Sequence, residues 1–434
     1  MNSRPRIGFA GLSHLGLCSA AAAAAHGFET VGFQPDATLV RRIDRGDLPI
    51  VEPDLDRLFT EHRALLTFSA EPQALTACDI VYLSFDVPTD DSGDSDLAPI
   101  RALIGEITPF LAPTALLIIL CQVPPGFTAS LAFDPARLFY QVETLIFGRG
   151  IDRALNPERI IVGARRPDDP LPAVLATFLG AFGCPVLPMR LESAELCKIS
   201  INLCLVASVS VANTLADLSE RLGADWAEIV PALRLDKRIG PFAYLKPGLG
   251  IAGGNLERDL VSVCRMADRL GGEAGVVRSF IADSRYRRDW LLRTVHAALP
   301  DTSASRLAIL GLAYKEDTAS TKNSPALALI AALGAGAIAA YDPAVQLPPG
   351  QAAGFRQVAS VAEACRGVDA LIVATPWSEF RELNPTTLLG LMRGRIVIDP
   401  YAFLDGAAFE AAGFAYRTIG RPARLAPSLP VDAE

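Results

Sequence analysis

A strand-then-helix rhythm that starts at once, stops, and starts again constrains this chain more than any other feature. Arg6–Ala10 is a short apolar run ending at Gly11, and Leu17–His26 is an alanine-rich stretch stopped by Gly27. Those signals predict strand, turn and helix. Thr30–Phe33 reads as the second strand, and Ile80–Phe85, Ala115–Leu120 and Arg159–Val162 continue the series, separated by helix-length segments. Short runs apolar on both faces, alternating with helices, pack as a parallel, doubly wound sheet of the α/β class. From Glu192 to about Gly223, small and apolar residues recur at helical spacing, which predicts one long helix spanning domains or forming a subunit contact. A Pro/Gly-rich loop follows at Pro241–Gly254, and helix resumes from Leu256 to about His296. The rhythm then restarts with strands at Leu307–Gly311, Ala337–Tyr341, Ala370–Ala374 and Arg395–Asp399 and a helix after Ser324-Pro325. The expected organisation is an α/β domain over 1–191, a helical middle domain over 192–298 and a second α/β domain over 305–434 whose end, Pro422–Glu434, is a loose tail. Two such domains predict a ligand cleft.

Composition removes several function classes. The 434 residues are 50% apolar and 20% charged, which fits a chain that folds throughout. Forty basic against 48 acidic residues give a net charge of -8, and no Lys/Arg-rich stretch exists to neutralise a row of phosphates, so no nucleic-acid partner is expected. The densest apolar stretches, Cys18–Ala25 and Ala112–Cys121, fall short of the ~18–20 residues of a spanning helix, so no membrane segment is expected. Met1–Arg6 runs directly into a strand pattern, and the expected location is cytoplasmic. The 8 cysteines show no Cys-x-x-Cys spacing and the 4 histidines do not cluster, so neither a disulfide framework nor a metal site is expected.

The first turn, Gly11-Leu12-Ser13-His14-Leu15-Gly16, is a G-x-S-x-x-G form of the dinucleotide fingerprint. Such a turn closes tightly, lets backbone approach a diphosphate and docks it on a helix N-terminus. Ser13 adds a side chain where the approach is closest. At the end of the second strand, Gln34 stands where an acidic side chain would accept bonds from both ribose hydroxyls, whereas an amide accepts on one side only. Asp36 is either a substitute acceptor or a helix-initiating residue.

Further along come Gly46-Asp47-Leu48-Pro49-Ile50-Val51-Glu52-Pro53, Val87-Pro88-Thr89, Val123-Pro124-Pro125-Gly126, and Ala194-Glu195-Leu196-Cys197-Lys198 with Asn202. They are followed by Asp236-Lys237-Arg238-Ile239-Gly240, Pro247-Gly248-Leu249-Gly250-Ile251-Ala252-Gly253-Gly254, Gly311-Leu312-Ala313-Tyr314-Lys315 and Tyr341-Asp342-Pro343. In this order and spacing the chain resembles the UDP-glucose/GDP-mannose dehydrogenase family over nearly its whole length. The resemblance implies an N-terminal Rossmann-type NAD domain, a long-helix central domain that builds a homodimer, and a C-terminal Rossmann-like domain holding a UDP- or GDP-linked sugar. It implies oxidation of the sugar C6 alcohol to a carboxylate in two NAD-dependent hydride transfers. Residue by residue, it implies cofactor contacts from Gly11, Ser13, His14, Leu15, Gly16, Gln34, Asp36, Thr89, Gln122 and Lys322. It implies substrate contacts from Lys198, Arg238, Tyr244, Gly250, Gly253 and Lys315, and catalysis by Lys198, Asn202, Asp259 and Glu143.

Lys198 and Asn202 lie at i and i+4 on one helical face that Asn213 shares, which reads either as a polar stripe at a dimer interface or as a site. In the second reading Lys198 stabilises a developing alkoxide, Asn202 adds a donor, and Asp259 takes the proton. The family's nucleophilic cysteine, which opens a helix, corresponds to Asn255, and a carboxamide does not add to an aldehyde at neutral pH. Its plain role is an N-cap. Phe147 stands for the family's second motif glutamate, Gln122 for a threonine, Lys322 for an arginine, Ala319-Ser320 for an Asp-Asp pair and Tyr401 for an arginine. Cys121 and Cys197 adjoin implied site residues and read as small buried hydrophobes. The expectation is a two-electron nucleotide-sugar oxidoreductase. The alternatives are a catalytically silent binding homologue and full four-electron oxidation through an aldehyde hydrate.

Overall fold

The computed structural model describes residues 4–87, 95–251, 255–302, 304–334, 337–348 and 354–422, with nothing described for the Asn255 side chain. It divides into two compact units, Met1–Ile201 and Asn202–Glu434, with the division inside the long helix Leu191–Leu222. Each unit is built on its own sheet.

The strands of the first unit are β1 (Ile7–Ala10), β2 (Thr30–Phe33), β3 (Leu66–Ser69), β4 (Ile80–Leu83), β5 (Leu116–Ile119), β6 (Leu138–Gln141), β7 (Ile160–Ala164) and β8 (Val186–Arg190). They form one eight-stranded sheet in the order β3-β2-β1-β4-β5-β6-β7-β8. The residues of β1, β2, β4 and β5 are all buried, as the unbroken apolar runs require of a sheet covered on both faces. The order reverses between β1 and β4, which opens a crevice at the carboxyl ends of these strands. One departure from the expected parallel sheet occurs: β6 pairs antiparallel with β7, Tyr140 opposite Gly163. Between them lies only one short helix, Gly150–Leu155, and the connection stays at one end of the sheet instead of crossing its face. Strands β3, β6 and β8 were not expected. Leu66–Ser69 alternates buried and exposed residues, and Val186–Arg190 carries Pro188 and is mostly exposed, so neither reads as an unbroken apolar run.

Two apolar layers cover this sheet. One gathers Phe9, Tyr82 and Phe28 with α1 (His14–Ala25), Phe28 meeting Phe178 edge-on at 5.0 Å. The other gathers Val81, Ile100, Leu117 and Tyr140.

In the second unit β9 (Arg306–Leu310), β10 (Ala337–Tyr341), β11 (Arg356–Gln357), β12 (Ala370–Val373), β13 (Ile396–Ile398) and β14 (Ala415–Arg417) form an all-parallel sheet in the order β11-β10-β9-β12-β13-β14. The helices Trp226–Leu235, Asn255–Leu270, Gly275–Arg288 and Trp290–Ala298 precede it. One apolar cluster joins Ala212, Ala216, Trp226 and Trp290 to the second sheet, so part of the helical segment shares that sheet's core. Glu220 fixes the arrangement by accepting from Trp290 Nε1 at 3.2 Å and from the Gly420 N–H at 2.9 Å.

The helix Leu191–Leu222 is long and apolar enough to cross a membrane by length and composition, which the search for apolar stretches missed. Its buried polar residues are nevertheless engaged within the protein. Lys198 pairs with Glu143, Asn202 with Asp259, and Asn213 Oδ1 accepts from the Gly248 N–H at 2.8 Å. Groups satisfied in this way belong to the interior of a folded unit.

Candidate active site

The first unit presents its chemistry at the carboxyl ends of β1, β4, β5 and β6. Gly11 follows β1 with φ 97°, and a Cβ there would sit 3.1 Å from the Phe85 backbone. A Cβ at Gly16 would lie 2.0 Å from the Gly11 carbonyl oxygen. The turn therefore closes only because both positions lack side chains. Ser13 is the N-cap of α1, yet its hydroxyl caps nothing in the helix and donates to the Ser84 carbonyl at 3.1 Å. His14, Leu15 and Gly16 are buried in the first turn of α1.

His14 is fastened from behind. Its Nε2 lies 2.7 Å from Glu52 Oε2, and Glu52 also accepts from the Gly150 N–H at 2.6 Å and the Gly148 N–H at 3.1 Å. The Phe147 ring lies 4.2 Å from the His14 ring and covers it. Periodicity gives no sign of the Glu52–His14 pair, whose partners lie far apart in the chain. The motif Pro49-Ile50-Val51-Glu52-Pro53 was the only available signal.

At the end of β2, the Gln34 N–H donates to the Ser69 carbonyl at 3.1 Å. Asp36 caps the helix α2 (Ala37–Asp44) by accepting from the Thr38 N–H at 2.8 Å and the Leu39 N–H at 3.2 Å. Thr89 and Gly253 lie outside the described residues. Gln122 follows β5 beside Cys121, whose buried Sγ accepts from the Phe85 N–H and donates to the Leu83 carbonyl. Burial pushes the Cys121 thiol up to about 12. It is a structural thiol.

Beyond β6, Glu143 Oε1 lies 2.7 Å from Lys198 Nζ, with side chains only 15% and 10% exposed. Glu143 also accepts from the Leu145 N–H at 3.0 Å. An ammonium paired to one carboxylate is held in a fixed position and retains donors for an incoming oxygen. One turn before it on the long helix, Glu195 accepts from the Gly126 and Thr128 N–H groups at 2.5 and 2.8 Å, tying down the loop after β5.

In the second unit Asn202 Nδ2 donates to Asp259 Oδ2 at 2.5 Å, and Arg258 Nε lies 3.4 Å from Asp259 Oδ1. All three residues are buried. Asp259 sits one turn into the helix Asn255–Leu270, which Asn255 opens. Gly250 has φ 81°, and a Cβ there would lie 2.4 Å from the Ser284 carbonyl oxygen, so this stretch of the Pro/Gly-rich loop lies against the helix Gly275–Arg288. The Ile251 N–H donates to Ser284 Oγ at 2.8 Å.

The other expected substrate contacts are dispersed. Arg238 is exposed and pairs with Asp236 at 2.6 Å, and Tyr244 is half exposed. Lys315 Nζ lies 5.8 Å from the Tyr314 ring centroid. Beside Lys322, Asn323 Nδ2 donates to Glu257 Oε2 at 2.8 Å. The Tyr401 hydroxyl donates to the Ala374 carbonyl at 3.2 Å, and its ring carries Lys246 Nζ at 5.9 Å from the centroid. Tyr401 lines a groove of about 500 Å³ with Trp226, Val230, Arg234, Lys246 and Arg421.

The turn after β9 repeats the geometry of the turn after β1 with a different outcome. Asp342 Oδ2 accepts from the Leu312 and Ala313 N–H groups at 2.6 and 2.9 Å and from Trp377 Nε1 at 3.2 Å. The N–H groups that could face a phosphate there are taken by a buried carboxylate. Among the described residues no group of three or more His, Cys, Asp and Glu side chains could hold a metal ion.

Three family models match the chain in order. The NAD binding domain of the UDP-glucose/GDP-mannose dehydrogenase family matches residues 5–172, its central domain residues 192–283 and its UDP binding domain residues 308–406. UDP-glucose 6-dehydrogenase TuaD of Bacillus subtilis is 28% identical, covering 98% of this chain and 97% of its own length. A UDP-glucose 6-dehydrogenase of Rickettsia typhi is 27% identical, covering 95% and 99%. Among solved structures, a UDP-glucose dehydrogenase from Pyrobaculum islandicum superposes with a TM-score of 0.83 at 22% identity, covering 96% of this chain and 98% of the other. A UDP-D-ManNAc dehydrogenase from Pyrococcus horikoshii superposes at 0.81 with 23% identity, covering 96% and 99%. At these identities the superpositions speak to the fold.

Proposed function

Because this chain belongs to the UDP-glucose/GDP-mannose dehydrogenase family, and is thus an NAD-dependent oxidoreductase acting on a nucleotide-sugar CH–OH group, we propose that it stops after one two-electron oxidation. The observation that carries this reading is the residue opening the helix Asn255–Leu270, an asparagine where the family resemblance places the nucleophilic cysteine. A thiolate there would capture the aldehyde and hold it for a second oxidation, and a carboxamide forms no such adduct. Cys121, the thiol beside the implied cofactor loop, supplies no substitute, because its buried sulfur is held between the Phe85 N–H and the Leu83 carbonyl.

The Gly11 and Gly16 turn fits the close approach of a dinucleotide backbone, since Gly16 has no room for a Cβ and Gly11 takes a φ of 97°. NAD, when bound, accepts the hydride from the sugar carbon. Asp259, positioned by Asn202 and Arg258, takes the hydroxyl proton directly or through one water. Lys198, positioned by Glu143, stabilises the oxygen as its negative charge grows. The proton leaves on Asp259, the electron pair leaves with the hydride, and the product is an aldehyde or ketone of the nucleotide sugar.

NADH formed per sugar consumed tests the reading. One equivalent is expected, and two would overturn it. Asn255→Cys places a thiol at a helix N-terminus, where the dipole favours thiolate, and is expected to raise the yield toward two equivalents.

Within the second unit Val211, Leu215, Leu218 and Leu222 recur at spacings of four and three on the long helix and are 55%, 40%, 45% and 78% exposed. We propose that a second copy of the chain covers this apolar stripe. Sedimentation should show a dimer, with Leu215→Asp and Leu218→Asp together giving a monomer; an unchanged dimer in that variant excludes the stripe as the contact.

A further inference from the structure

We propose that Asn213 and Ser284 are positioning residues for the oxidation: they set the glycine-rich loop 245–251 and, through it, the helix Asn255–Leu270 that carries Asp259. The proposal rests on Asp259 taking the hydroxyl proton. A loop outside helix and sheet must find partners for its backbone groups elsewhere. Here three side chains supply them, one at every third residue. Trp226 Nε1 donates to the Leu245 carbonyl at 2.8 Å, Asn213 Oδ1 accepts from the Gly248 N–H at 2.8 Å, and Ser284 Oγ accepts from the Ile251 N–H at 2.8 Å. All three residues are buried, and they stand on three different helices, Trp226–Leu235, Leu191–Leu222 and Gly275–Arg288. Between these anchors the chain has little stiffness of its own, because Gly248 and Gly250 are free of a Cβ and Gly250 takes a φ of 81°. The anchors, and not local propensity, therefore impose the path of the loop.

The loop's apolar side chains carry that path toward the chemistry. Leu245 and Leu249 are buried in the cluster that covers the second sheet, whereas Ile251 is buried in a separate one with Val206, Leu260 and Cys264. Leu260 is the chain neighbour of Asp259, and Val206 lies one turn beyond Asn202 on the long helix. In a close-packed interior a shift of Ile251 is felt by the side chains packed with it, so it reaches the turn of helix that bears Asp259. The long helix also ties down both ends of this stretch. Asn202 holds Asp259 and Asn213 holds Gly248, about 16 Å apart along the helix axis. One stiff element thus fixes the carboxylate and the loop ahead of it together. Asn213 and Ser284 bond to loop N–H groups, so their contribution to the reaction is geometric.

The test reads NADH formed by the full chain from UDP-glucose, UDP-N-acetylmannosamine or GDP-mannose, with kcat and KM separated, beside the thermal midpoint of each variant. Asn213→Leu keeps the side-chain shape and removes the acceptor. Its kcat is expected to fall about a hundredfold, the scale of a displacement of about 1 Å between reacting groups, with the KM for NAD unchanged. Ser284→Ala is expected to lose about tenfold, and Ser284→Thr, which returns a hydroxyl acceptor, to recover most of it. In an Asp259→Asn background Asn213→Leu should cost little more, because groups that serve one step lose their effect together. Where Asn213→Leu does not fold, Ser284→Ala, which removes a single oxygen, is read in its place in both backgrounds. A loss of the same size in both backgrounds, no recovery in Ser284→Thr, or a lowered thermal midpoint with kcat intact overturns the positioning role alone. An undiminished kcat in Asp259→Asn, or no NADH from any of the three sugars in the wild type, overturns the proposed oxidation and this inference with it.

Discussion

Lys198→Met is expected to lower kcat by about a hundredfold to a thousandfold while changing KM by much less, the loss typical of removing one preorganised donor from a developing oxyanion. The Lys198 side chain is 10% exposed and has Glu143 at 2.7 Å, so its direction is fixed. Methionine keeps most of the side-chain volume and removes only the charge and donors. Glu143, 15% exposed, is left at the edge of solvent and can be hydrated, which limits the structural damage. Glu143→Gln supplies the control. It leaves the ammonium in place without its ion-pair partner, so a smaller loss of about tenfold is expected. Steady-state kinetics, read as kcat and KM separately, distinguishes the two variants. Equal losses in both, or a loss confined to KM, would show that Lys198 serves only to hold the loop carrying Glu143.

Glu52→Ala is expected to destabilise the first unit by about 3–5 kcal/mol, since three hydrogen-bonding groups lose their acceptor at about 1–3 kcal/mol for each buried one. Glu52 has a fully buried side chain whose two oxygens serve His14 Nε2 and the Gly148 and Gly150 N–H groups. Alanine leaves two buried polar groups, His14 Nε2 and the Gly150 N–H, and the half-buried Gly148 N–H without their acceptor at once, beneath the turn that the cofactor must meet. Glu52→Gln keeps one acceptor and should lose less. The chain's 3 tryptophans, Trp226, Trp290 and Trp377, all belong to the second unit, which makes the effect separable. Far-UV circular dichroism should show an earlier first transition in Glu52→Ala while the tryptophan fluorescence transition stays near its wild-type midpoint. Coincident early transitions by both probes would contradict a local role for Glu52.

Much of the fold is legible in the sequence. The β1, α1 and β2 segments, the long helix and the restart at β9 were legible because apolar periodicity and glycine stops are local properties. The short or mixed strands β3, β8, β11 and β14 were not, since two to five residues with exposed neighbours carry no period to detect. At the candidate site, Lys198, Asn202, Asp259 and Glu143 were named from motif positions alone. Their pairing was not, because Glu143 and Lys198 stand on different elements. Asp36 reads in the sequence either as an acceptor or as a helix start, and its hydrogen bonds to the Thr38 and Leu39 N–H groups make it a helix cap whatever else it touches.

By itself the sequence determined the succession of strands and helices, the two glycines without which the first turn cannot close, and the absence of a thiol at position 255. These depend on the residue and its near neighbours. Only the tertiary structure decided that β7 runs against β6, that His14 rests on Glu52, and that Asp342 sets a carboxylate on the turn after β9. Charge interactions and hydrogen bonds are set by separation and by the exclusion of water. Both quantities exist only once distant parts of the chain have been brought together.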